Sequence, residues 1–246
     1  MKKNICDFRC SFLAAVVISL VLCIICSAFA VSIFHGNELY VSAASYGTLE
    51  NVIILDAGHG GEDCGAIGEN GVFEKDINLA VTEFMGEELE KLGYAVIYTR
   101  REDRLLYKDE ENVKGLRKIS DLKNRCAIAN SYPEAVFVSI HMNSFGDSRY
   151  SGLQVYYSER NEESRFLAEA IQTTAKERLQ TTNERRTKAG RDIYVLENVD
   201  NRAVLVECGF LSNKDECEKL SKKEYQKQLS FLIVCAIIEY IEKNTV

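Results

Sequence analysis

Two histidines and two glutamates occupy positions where a folded chain can bring them together. His59 lies in "VIILDAGHGGEDCGAIG", residues 52–68, where a short apolar run ends at Asp56 and glycines surround the imidazole. His141 follows a second apolar run, "AVFVSI", and Glu207 closes a third, "RAVLVE". An acid at the end of so apolar a strand is unexpected unless it faces the same edge as the histidines. In α/β sheets that carboxyl edge is where sites form. Glu74 follows His59 by 15 residues, in a loop that can fold back toward the end of the first strand. Two imidazoles and one carboxylate, with one position open, are the usual ligands of a catalytic zinc ion. Gly58, Gly60 and Gly61 then serve tight turns and a close approach to the backbone. Asp56 stands where it can accept a histidine N–H and fix the ring tautomer.

The elements that must position these side chains can be read from apolar spacing. "NVIILDA", "YAVIYTR", "AVFVSIH", "GLQVYYS", "DIYVL" and "RAVLVECGF" read as strands. Ile77, Val81, Met85, Leu89 and Leu92 recur at helical spacing, with Asp76 placed to cap the start and Gly93 the end. Further helices are expected near 117–131, over 162–180 and over about 224–242, the last carrying Leu229, Leu232, Ile233, Ala236, Ile237 and Ile241. This alternation predicts a single α/β domain over 51–246, with a largely parallel central sheet and helices on both faces.

Residues 1–34 are of another kind. Lys2, Lys3 and Arg9 precede 24 uncharged residues, Ser11 to Phe34, enough to cross a bilayer as a helix. The basic start favours an N-terminal anchor with the body extracytoplasmic. "SAFA" at 27–30 also offers a signal-peptidase site, which would give a secreted body instead. Residues 35–50 read as a linker. The rest of the chain, 46–246, holds 27 basic and 35 acidic residues, an unfavourable balance for nucleic acid. Five of the nine cysteines lie in the body, without a C-x-x-C pair, so neither a zinc ribbon nor a disulfide framework is indicated. "DAGHGG" lacks the G-x-G-x-x-G pattern and the Lys-Ser/Thr ending of phosphate loops. Cys208 alternates to the face opposite Glu207, the place of a structural thiol and not of a nucleophile.

The segments "ILDAGHGGEDCGAIG", "FEKDINLAV", "VIYTRREDR", "LKNRCAIAN", "VSIHMNS" and "AVLVECGFLSN" resemble, in order, the zinc-dependent N-acetylmuramoyl-L-alanine amidases of the amidase-3 type. The resemblance spans roughly residues 51–242, and the layout is most similar to sporulation-type members. It implies zinc ligands at His59, Glu74 and His141, a catalytic glutamate at Glu207 and a polar substrate position at Asn143. It also implies peptidoglycan as the substrate, cut between N-acetylmuramic acid and L-alanine, with a role in spore cortex maturation; whether an activating protein partner is needed is not legible in the residues. Ala57 stands where the family usually has proline, which frees the turn without removing a ligand. The alternative is a catalytically silent peptidoglycan-binding scaffold. Such a protein would be expected to have lost one of the four residues.

Overall fold

The computed structural model describes residues 40–41 and 52–244. The N-terminal segment 1–34 and nearly all of the 35–50 stretch lie outside the described residues. Among the described residues, seven strands form one sheet: β1 (Tyr40–Val41), β2 (Val52–Ala57), β3 (Ala95–Tyr98), β4 (Val136–Asn143), β5 (Gln154–Tyr157), β6 (Lys188–Ala189) and β7 (Arg202–Phe210). Their order is β1-β3-β2-β4-β7-β5-β6. The pairs β3–β2, β2–β4, β4–β7 and β5–β6 are parallel, while β1–β3 and β5–β7 are antiparallel. The sheet is therefore largely parallel, as its continuous apolar runs require of strands covered on both sides.

Helices α1 (Glu74–Lys91), α3 (Glu163–Arg178) and α6 (Lys223–Asn244) cover one face. Ile77, Val81, Met85 and Leu89 of α1 join Leu167 and Ile171 of α3 and Leu229, Ile233 and Ile237 of α6 over Ile53, Leu55, Val138 and Val206. Helices α2 (Arg117–Asn130) and α4 (Tyr194–Asn198) cover the other face, where Cys126, Ala129, Val195 and Leu196 meet Ile54, Phe137 and Leu205. A short helix, α5 (Lys214–Leu220), follows β7. The chain leaves β2 through α1 to reach β3 on one side, then crosses through α2 to β4 on the other. The carboxyl ends of β2 and β4 thus diverge at a switch point, the crevice such sheets use for ligands.

Three local expectations need correction. "DIYVL" is not a strand. Tyr194–Asn198 is a short helix, because Val195 and Leu196 reach the core from one helical turn. The strand in this region is instead Lys188–Ala189, too short and polar to show a period. Asp76 does not cap α1, which begins two residues earlier at Glu74, with Phe73 at the cap position and no side-chain cap bond. Glu74 is consequently a helical residue and not part of a preceding loop. At the other end Gly93, at φ 88°, bonds to the Glu90 carbonyl while the Tyr94 N–H reaches Leu89, the paired bonds of a Schellman stop. Among the body cysteines, Cys126, Cys208 and Cys217 are buried and all five are free thiols.

Gly86 of α1 leaves room for the Tyr98 side chain of β3. A Cβ there would overlap the buried Tyr98 ring. Alanine normally stabilises a helix interior by about 1 kcal/mol over glycine. Gly86→Ala should do the reverse and cost about 1–3 kcal/mol through overpacking. Chemical denaturation checks the sign; a gain in stability would show that the ring yields.

Candidate active site

One face of the sheet changes character along its length. On the α2/α4 side, Ile54, Phe137, Ala203 and Leu205 are core. Further along the same strands, the next residues on that face are Asp56, Ser139, His141 and Glu207. Apolar cover gives way to polar side chains at the carboxyl edge.

Asp56 anchors this polar end. It is fully buried and accepts from Thr99 Oγ1 (2.7 Å), Ser139 Oγ (2.6 Å) and Arg125 Nη1 (2.5 Å). It was expected to orient a histidine, and its oxygens are spent on these three donors instead. Burial works against its charge, but Arg125 and the two hydroxyls hold its carboxyl below the usual carboxylate range. Arg125, also buried, bonds Asp121 through Nε and the carbonyls of Ala57 and His59 through its two Nη atoms. Arg100 donates to the carbonyls of Ala57, Gly58 and Lys75. Two guanidiniums therefore hold the backbone of residues 57–59.

That backbone is unusual. His59 has φ 61°, a left-handed conformation rare for a residue with a side chain. Gly60 (φ 141°) and Gly61 (φ 55°) carry the turn onward. Gly58 serves differently: a Cβ there would overlap the His141 ring. The His59 ring is turned so that Nδ1 meets Asp63 Oδ2 at 3.0 Å and Nε2 meets Glu74 Oε1 at 3.2 Å. His141 Nδ1 reaches the same Glu74 oxygen at 2.9 Å. The two rings lie edge to face, 4.9 Å between centroids. Glu74 also accepts the backbone N–H of Met142 at Oε1 and of Ala66 at Oε2.

The structure thus brings His59, Glu74 and His141 together, with one ligand atom from each inside a 4.8 Å cluster. Both imidazoles aim at one carboxylate oxygen, so the cluster demands positive charge. Burial opposes the His59 imidazolium, yet Asp63 and Glu74 raise its pKa to about 9. Glu74 resists burial because both imidazoles hold its carboxyl well below the usual range. A divalent cation fits this donor set, which is that of a catalytic zinc site with an open position.

Glu207 pairs directly with His141 across the β4–β7 ladder. Its Oε2 is buried and has no hydrogen-bond partner. Burial, helped by the charge of Glu74, pushes its carboxyl up to about 7. Cys208 points to the opposite, apolar face, as alternation requires. Asn143 ends β4 beyond a register shift, and its carbonyl accepts from Leu211.

Asp63, Arg100 and Arg125 belong to the site's frame and were not singled out from the sequence. Asp121, Arg125 and Ala129 share one helical face, and an ion pair on a core-facing stripe was the available signal.

The fold is of the α/β class, and metal-assisted hydrolysis is one chemistry that such a donor set can serve. The chain belongs to the N-acetylmuramoyl-L-alanine amidase family, Amidase_3, which matches residues 53–239. It is 34% identical over 193 residues to the germination-specific N-acetylmuramoyl-L-alanine amidase of Bacillus subtilis strain 168, covering 78% of this chain and 81% of that protein. Among solved structures it is similar to the CwlD amidase of Clostridioides difficile, determined in complex with the GerS lipoprotein. That match has 41% identity and a TM-score of 0.75, over 78% of this chain and 98% of the other. AmiC2 of Nostoc punctiforme matches at 29% identity and a TM-score of 0.68, over 80% and 99%. The protein is accordingly an enzyme with the peptidoglycan amidase activity of this family.

Replacing Arg125 with Met would leave Asp56 buried without its cation. Breaking such a pair costs about 3–5 kcal/mol. Arg125→Met should therefore lower the thermal midpoint by many degrees, and a melt within a degree of wild type would show that Asp56 is held by its hydroxyl partners alone.

Proposed function

We propose that the enzyme hydrolyses the amide between N-acetylmuramic acid and L-alanine with a zinc ion held by His59, Glu74 and His141, and with Glu207 as general base and then acid. The observation that carries this reading is the convergence of three donors beside one buried carboxylate with a free oxygen. Zinc would supply Lewis acidity, making water ionise near neutral pH and drawing electron density from the amide carbonyl. The residues do the rest. Glu74, fixed by two backbone N–H groups, cannot rotate away from the imidazoles. Asp63 accepts the His59 Nδ1–H and so leaves Nε2 free to ligate. Glu207, whose burial favours its protonated form, is placed to take a proton from water and return it to the leaving amine. Asn143 is proposed to bind substrate from the end of β4.

The cellular setting is proposed on the same footing. Residues 1–34 act as an anchor or a signal segment, residues 35–50 as a linker, and residues 51–246 as an extracytoplasmic catalytic domain. The likeness to a germination-specific amidase supports a role in spore cortex peptidoglycan and the formation of its muramic-δ-lactam. The relative solved with a lipoprotein supports a protein partner for this chain too.

Two measurements test the chemistry. Incubated with purified peptidoglycan, the zinc-loaded protein should release peptides with an L-alanine amino terminus, read by mass spectrometry. Glu207→Gln should keep its zinc and lose at least about a hundredfold in turnover; wild-type turnover would remove Glu207 from the role. Gly58→Ala tests the geometry of the metal site. The new methyl group should displace His141 and weaken zinc affinity by about 10–100-fold, the range seen when a ligand loses its positioning. Competition against a chromogenic chelator reads this, and unchanged affinity would argue that His141 is not a ligand.

A further inference from the structure

The polar row of the site continues past Glu207 into a feature the hydrolytic chemistry does not use. Gln154 on β5 is the direct cross-strand partner of Glu207, so their side chains share a face. Gln154 Oε1 accepts from Arg185 Nη1 at 3.0 Å, and Arg185 Nε donates to the Ser151 carbonyl at 2.7 Å. The guanidinium lies 4.5 Å from the centroid of the buried Phe210 ring and 5.6 Å from that of Tyr150.

Among the described residues, this half-buried cation makes no ion pair, and its side-chain hydrogen bonds go to neutral acceptors. Glu216, which feels its charge, spends its carboxylate on the backbone N–H groups of Gly152 and Phe210. A planar fork fixed by neutral acceptors and stacked on rings is preorganised for a carboxylate. Arg185 also borders a cleft of about 1040 Å³ that it shares with Tyr150, Gly152, Asn183 and Glu216.

In the amidase's substrate the anions near the scissile bond lie on one side only. The lactoyl carboxyl is consumed in the amide and the sugars are neutral, so free carboxylates belong to the stem peptide. We propose that Arg185 binds the first free carboxylate of the stem peptide, carried by the residue after L-alanine, and that the peptide crosses β5 from Glu207 into this cleft. Arg185 is hydrogen-bonded to Gln154, the cross-strand neighbour of Glu207, so a peptide leaving Glu207 need cross only one strand, a step of about 5 Å, to come beside it. Arg185 would then set the direction in which substrate lies on the sheet. This inference rests on the amidase reading above.

The test compares two fragments with the full-length, zinc-loaded protein. One is an N-acetylmuramoyl tripeptide whose second residue has a free α-carboxylate; the other is the same fragment with that carboxylate amidated. The wild type should show a KM about ten- to a hundredfold lower for the acid, with similar kcat. Arg185→Met, which keeps the stem over Phe210, should lose that preference and retain zinc and kcat. Arg185→Lys should recover part of it. Equal KM values for the two fragments in the wild type, or an equal loss on both in Arg185→Met, would overturn the assignment. The same comparison by calorimetry in Glu207→Gln, where turnover is stopped, separates the two readings. Absence of cleavage by the wild type would sink the amidase reading. Equal affinity for acid and amide would sink the role of Arg185, whatever the turnover.

Discussion

The ion pair between Asp56 and Arg125 is the constraint on which the site depends. Both groups are buried, 69 residues apart in sequence, and each uses nearly all its hydrogen-bonding capacity. Arg125 spans the end of β2: its Nη1 donates to both Asp56 and the Ala57 carbonyl, and its Nη2 to the His59 carbonyl. The left-handed φ of His59 is costly by itself, on the order of 1–3 kcal/mol. It persists because its own carbonyl and the two before it are held by two guanidiniums. The strain turns the imidazole back toward Glu74, where an extended continuation of β2 would carry it away.

From this anchor the rest follows by sheet geometry. Parallel pairing sets Asp56 beside Ser139 and, two residues on, His141 beside Glu207. One face therefore delivers a carboxylate, an imidazole and the anchor in adjacent strands with no loop having to be precise. The opposite face stays apolar to its end, with Val206 and Cys208 in the core. Helix α1 completes the cluster from that direction: its first residue is Glu74, so a helix packed by Ile77, Val81 and Met85 fixes the carboxylate in place. Rigid elements supply three of the four groups, and only His59 depends on a turn.

Much of this was legible because burial on both faces writes strands as continuous apolar runs. Arg202–Phe210 and the helix ending at Gly93 could be read directly. Their ends pointed to His59, His141 and Glu207. What the sequence hid was long-range or short. Lys188–Ala189 is two residues, below any period. The buried roles of Arg100 and Arg125 come largely from distant partners, the residues at the end of β2, and an arginine in a helix or after a strand looks the same whether solvated or buried. Asp56 was singled out, but its partners could not be chosen without the pairing of β2 with β4. Arg185 lay in a polar stretch where nothing marked a cation stacked on Phe210.

The two glutamates of the cluster differ in what surrounds them. Glu74 receives two imidazoles and two backbone N–H groups, so every partner favours its charged form. Glu207 stands one strand from His141, yet receives no hydrogen bond at Oε2, and it is buried beside the negative charge of Glu74. Identical side chains are thereby driven apart, one fixed as an anion and the other able to gain and lose a proton near neutral pH. Groups separated in this way are the ones that divide binding from proton transfer. The sheet register enforces the division. Glu207 is held next to the His59, Glu74 and His141 cluster by its pairing with His141, while its Oε2 is left without a hydrogen-bond partner.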